Sequence, residues 1–179
     1  YSDICGISER DLHKYFKESI SELADANQLS IDECYKKLKA MYDGYHFSED
    51  ADGMYNPFSL LSTLRFKKFK DYWFDTGTPT MLVNVMKQTS FDITTLSDNV
   101  EVASDDLSGM QDIVNRPIPL FLQTGYLTIK DYDKEFNIYT LGFPNDEVKN
   151  GFLKFIFSYY VPINPAEGNT TTAKLAKAL

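Results

Sequence analysis

Two capping boxes constrain the first half of this sequence more than any other feature. Ser8 is followed three residues later by Asp11, and Ser30 by Glu33. In each pair the hydroxyl can accept from the third helical N–H while the acid reaches back to the cap, so each marks a helix start. Behind the first box, Leu12, Tyr15, Phe16, Ile20 and Leu23 recur at helical spacing, with Ile7 as the preceding staple. Behind the second, Cys34, Leu38, Met41 and Tyr42 share one helical face. Polar, Gly-containing Ser48–Gly53 reads as a surface loop. Asn56-Pro57 then has the form of a cap followed by proline at the first helical position, predicting a third helix to about Phe66. After the aromatic run Tyr72-Trp73-Phe74, Thr76-Gly77-Thr78-Pro79 predicts a turn and another Pro-started helix carrying Met81, Leu82, Val85 and Met86. Residues 1–88 are expected to form a mainly helical unit.

From Gln88 to Asn115 the pattern changes. Six acids (Asp92, Asp98, Glu101, Asp105, Asp106 and Asp112) stand without a Lys or Arg among scattered apolar residues, so residues 89–115 read as an acidic connector. Beyond it, Ile118–Thr124 has helical character. Tyr126–Ile129 and Phe136–Tyr139 alternate on either side of the turn-rich Asp131–Glu135, the signature of a β-hairpin. Pro144-Asn145 stops the hairpin and caps a helix with Val148, Phe152, Phe155, Ile156 and Tyr159 on one face. Helix, hairpin and helix over residues 116–161 suit a winged-helix-like unit, and residues 162–179 read as a linker into a following domain. The expected fold class is α+β, mainly helical: a helical lid-like unit followed by a winged-helix-like unit with a β-hairpin. A start at Tyr1 without Met, and a final helix-like run Thr172–Leu179 without a packing partner, point to a piece of a longer chain.

Composition excludes several classes. Hydrophobic residues make up 43% and aromatics 15% of the 179 residues, far from the signature of disorder. A formal net charge of -8 argues against a general polyanion binder, because phosphate backbones are held by clustered Lys and Arg. Cys5 and Cys34 form no CxxC pair, so neither a zinc site nor a disulfide framework is expected. No apolar run approaches the roughly 18 residues of a membrane helix, which points to the cytoplasm.

The runs Met41–Phe47, Tyr55–Leu61, Tyr72–Pro79, Gln123–Ile129 and Tyr139–Asn145, with the Glu147-Val148 that follows, resemble the AAA-ATPase-like family of Bacteroidetes and Firmicutes along essentially the whole chain. The resemblance implies an N-terminal P-loop ATPase domain before this region and a PD-(D/E)XK nuclease-like domain after it. ATP and magnesium would then belong to the longer protein. A P-loop needs glycines to cradle phosphates and a following Lys to reach them, and none of the nine glycines here is followed by Lys. The chain by itself is therefore expected to be no enzyme but a lid and regulatory segment. Its partners would be the neighbouring ATPase and nuclease-like domains, with nucleic acid disfavoured.

Gly77 and Pro79, heading an apolar helix, resemble the Gly-x-Pro element that lid domains place against an adenine ring. Asn56-Pro57 is a second counterpart, and both also fit plain Pro-started helices. His46, in Asp43-Gly44-Tyr45-His46, is the third candidate, as a sensor of nucleotide phosphate. The competing reading is an aromatic-rich turn in which Gly44 stops a helix. His13 reads as a surface residue. Ser48–Gly53 fails as a calcium loop, since placing Gly53 at position six puts Ser59 where a bidentate Glu is needed. Arg65–Lys70 interleaves Phe with basic residues, and in an acidic chain it reads as a solvated helix end. From Gln111 to Tyr160, five bases stand against six acids, which disfavours DNA as a ligand of the hairpin unit; the runner-up function is a module that contacts protein or DNA without nucleotide coupling. No set of residues has the spacing of a catalytic nucleophile, base or metal cluster.

Overall fold

A computed structural model describes residues 6–46, 48, 52–76, 96, 99–107 and 117–160. It is a mixed helical and β structure built on two interlocked cores.

The first core is helical. Strand β1 (Ile7–Ser8) leads into α1 (Glu9–Tyr15), α2 (Lys17–Asn27) and α3 (Ile31–Tyr42). Both capping boxes form: Asp11 N donates to Ser8 Oγ at 3.1 Å, and Ser30 N to Glu33 Oε2 at 2.8 Å. The run behind Ser8 is two helices rather than one, broken at Phe16 (φ −116°, ψ 12°). Phe16 N still donates to Leu12 O, and Ile20 N to Phe16 O, so the bend leaves the helical spacing of the apolar residues undisturbed and leaves no trace in the sequence pattern. Strand β2 (Met54–Tyr55) pairs antiparallel with β1 and precedes α4 (Pro57–Phe66). Asn56 Oδ1 caps α4, accepting from Phe58 N at 3.0 Å and Ser59 N at 3.2 Å, with Pro57 opening the helix. Leu12, Ile20, Leu23, Cys34, Leu38, Tyr42, Tyr55 and Leu60 are buried together here.

The second core lies against a three-stranded antiparallel sheet of order β3 (Val100–Ala103), β5 (Ile138–Gly142), β4 (Thr128–Asp133). Strands β4 and β5 are the expected hairpin. Its turn is closed by Asp133 Oδ1, which accepts from Glu135 N and Phe136 N, and by Asn137 at φ 54°. Within residues 89–115, which read as an acidic connector, residues 100–103 form strand β3. Val100 and Val102 face the core while Glu101 and Ala103 face out, and Val100 pairs with Leu141 and Val102 with Tyr139. Acidic flanking residues hid a period-two pattern only four residues long. Helix α5 (Ser104–Leu107) follows β3, α6 (Ile118–Gln123) precedes the hairpin and α7 (Asp146–Tyr160) follows it. As expected, Asn145 caps α7, its Oδ1 accepting from Val148 N at 3.1 Å. The Pro79-started helix and residues 161–179 lie outside the described residues.

The two cores do not meet at a linker. Tyr45, Trp73 and Phe74, from the segment expected to form the mainly helical first unit, pack on the second core beside Tyr126, Phe121 and Phe152. Among the described residues no helix is long and apolar enough to cross a membrane.

Candidate functional site

The seam between the cores is built by residues 42–46. Tyr42 ends α3 fully buried, and its hydroxyl donates to Lys70 O at 3.0 Å and accepts from Lys70 N at 3.1 Å. Burial pushes that hydroxyl up to about 12. Asp43, 7% exposed, offers its carbonyl to Asn145 Nδ2 at 3.0 Å, tying the end of α3 to the cap of α7. Burial also raises the Asp43 carboxyl above the usual range. Gly44 adopts φ 100° directly beneath the Pro144 carbonyl, an approach that a side chain would block. Tyr45 exchanges backbone hydrogen bonds with Met54, at 3.2 and 2.9 Å. His46 N donates to Thr128 Oγ1 at 2.8 Å, and that hydroxyl donates back to His46 O at 3.3 Å. Five consecutive residues thus join α3, β2, the hairpin and α7.

Beside the seam opens a cleft of about 340 Å³. One wall carries Tyr45 and His46, then Tyr55, Asn56 and Pro57, with Trp73 beyond; the other carries residues 122–125 and Leu127-Thr128. Four of the five runs singled out in the sequence therefore converge on one cavity, although 82 positions separate His46 from its partner Thr128. Gly125, at φ 79°, lets the wall turn close to Tyr45 and Trp73. His46 Nδ1 is buried and has no hydrogen-bond partner among the described residues. Gly77 and Pro79 lie outside the described residues; Gly77 follows Thr76, the last residue of the 3-10 turn Trp73–Thr76.

Glu147 is the residue that sequence reasoning left without a role. Its side chain is fully buried at the start of α7, where an acid is ordinarily solvated and favoured by the helix dipole, so its position gave no signal of burial. It accepts from Trp73 N at 2.9 Å and lies against Ser59 of α4, joining three elements. Burial raises its carboxyl to about 7, against the opposing pull of those hydrogen bonds. Cys34 is buried, and loss of solvent raises its thiol, which removes the thiolate a nucleophile would need. Among the described residues no group of three or more His, Cys, Asp or Glu side chains could hold a metal ion.

Comparison with curated proteins finds a relative 32% identical over 179 residues, described as an uncharacterized protein in the vnfD 5' region of Azotobacter chroococcum mcd 1. The alignment covers 98% of this chain and 32% of the relative, so the chain spans about a third of that protein's length. No protein-family profile matches the chain, and no solved structure matches it.

Proposed function

We propose that this chain is a non-catalytic lid and relay segment of a longer cytoplasmic, AAA-ATPase-like protein, passing nucleotide state from a P-loop domain to a nuclease-like domain. The observation that carries this reading is the seam. With Asp43 bonded to Asn145, Gly44 seated under Pro144 and His46 bonded to Thr128, a displacement of the helical unit must be felt in the hairpin unit. In this reading helices α6 and α7 and the hairpin are a winged-helix-like module that contacts protein rather than DNA. ATP and its magnesium belong to the P-loop domain. Among the described residues the cleft is lined by no Lys or Arg, so these residues do not fit a triphosphate; the chain's contribution would be His46 in the cleft, with Gly77 and Pro79 following the Trp73–Thr76 turn. A protein-interaction module without nucleotide coupling is the second reading. It is favoured by Phe58 and Leu61, 49% and 46% exposed and three residues apart on α4, an apolar pair suited to a partner surface.

Calorimetric titration of ATP and ADP separates the two. The longer protein should bind nucleotide, this chain alone should not, and Pro79→Arg in the longer protein should weaken binding by about tenfold, the loss of one good apolar contact. Unchanged affinity and turnover in a folded Pro79→Arg protein would leave only the interaction module. Binding by this chain alone would place a nucleotide site on it and end the lid reading.

A further inference from the structure

The most unusual group in the molecule is the Glu147 carboxyl. It is fully buried at a joint of three elements: α7, which carries it; α4, which presents Ser59; and the 3-10 turn, whose Trp73 N–H it accepts at 2.9 Å. Gly151, one helical turn beyond Glu147, lets the Phe74 ring lie directly on the helix, where any side chain would collide with it. Trp73 in turn walls the cleft and packs edge-on against Tyr126, with ring centroids 4.9 Å apart. Whatever happens at Glu147 is therefore one peptide group away from the cleft.

We propose that Glu147 is a proton-operated latch on Trp73: protonated, it closes the joint between α7, α4 and the 3-10 turn; ionised, it draws water into that joint and loosens the Trp73 wall of the cleft. In the neutral form one oxygen accepts from Trp73 N, and the other, buried beside Ser59 with no hydrogen-bond partner among the described residues, carries no charge that would need one. Releasing the proton to solvent leaves a charge in a dry joint, and a buried carboxylate recovers its hydration only by admitting water. The surroundings oppose ionisation. Tyr42 and Tyr45, from the seam, face the carboxyl with neutral hydroxyls, and Asp71 adds a like charge. Lys154, on the same helix, is committed to Asp71 at 2.5 Å. Burial holds the folded-state value at about 7 against an ordinary value of 4.5. A carboxyl raised on folding stabilises the closed joint fully below its ordinary value, and that stabilisation is lost as pH rises through about 7, so the latch closes on the acid side and opens on the alkaline side. The inference holds whether or not the longer protein binds nucleotide.

Trp73 is the single tryptophan of the 179-residue chain and reports on the latch directly. Emission and acrylamide quenching of this chain should be measured from pH 5.5 to 8.5. Quenching should rise at least about twofold, with a red shift, in one reversible step centred near 7. Glu147→Gln, which keeps an acceptor for Trp73 N and carries no charge, should hold the protected, acid-side signal throughout. Ser59→Ala removes the hydroxyl that lies beside the carboxyl and favours its ionised form, and should move the midpoint to higher pH by about half a unit, a reading that stands if the Gln variant does not fold. A signal flat across this range in the unaltered chain overturns the proposal. So does a step that survives in Glu147→Gln, or a midpoint unmoved in Ser59→Ala. A step abolished by His46→Gln but retained in Glu147→Gln would assign the switch to the imidazole instead.

Discussion

Gly44 and Gly125 show how much one residue's surroundings decide. Both have positive φ, 100° and 79°, yet the space around them differs. A Cβ on Gly44 would drive into the Pro144 carbonyl, and backbone on backbone cannot give way by a rotamer change. A Cβ on Gly125 would meet Tyr45 Cε1 at 3.6 Å, an ordinary contact. Gly125→Ala is therefore expected to cost about 1 kcal/mol, the conformational strain alone, while Gly44→Ala should cost about 3 kcal/mol or more because the clash is added. Urea midpoints of the two variants decide it, and equal midpoints would mean that the Pro144 contact is not tight. A glycine after a helix was legible as a stop signal in the sequence. That it stops α3 under a carbonyl 100 positions away was not, because the neighbour is set by packing rather than by the local chain.

At the scale of elements, the helices were legible where a cap announced them. Ser8, Ser30, Asn56 and Asn145 each mark a start that depends only on hydrogen bonds within three residues, so the sequence carries the whole cause. Strand β3 has no such signal. Its existence depends on β5 offering an edge, and its inward residues are only Val100 and Val102. Val102→Ala should lower stability by about 1 kcal/mol through lost burial, while Glu101→Ala on the outer face should change it by less than about 0.5 kcal/mol. Thermal or urea unfolding of the pair gives the comparison. A Val102→Ala chain as stable as the parent would return residues 100–103 to the connector class. The slip between Ile129 and Asp131 in the β4–β5 register is likewise tertiary in origin; it centres on Lys130, whose ammonium donates to Pro144 O at 3.2 Å beside the seam.

Across the whole molecule, the exchange of aromatic residues between cores matters more than either core alone. Trp73 and Phe74 leave the helical segment to pack with Tyr126, and Asn145 and Glu147 reach back from α7 to Asp43 and Trp73. Interlocked cores should unfold together. Trp73 fluorescence, which reports the second core, and far-ultraviolet circular dichroism, dominated by the helices of the first, are expected to give one coincident urea transition. Two separated midpoints would show units that fold independently, and the relay reading would lose its mechanical basis. The candidate site follows the same logic. Tyr45-His46, Tyr55–Pro57, Trp73 and Gln123–Gly125 could each be marked as runs of unusual composition, but a linear chain carries no statement that they share a cavity.

What the sequence determined by itself was local: caps, helical faces, the hairpin and its turn, and the acidic, cysteine-poor composition that argued against a general polyanion binder and a disulfide scaffold. These depend on interactions between residues a few positions apart, whose energies are written into adjacent side chains. The tertiary structure alone decided that residues 42–46 form the seam, that four distant runs wall one cleft, and that an ordinary helix-starting acid, Glu147, is buried in a joint. The environment of a group, and with it the group's chemistry, is created by whatever packing brings alongside it.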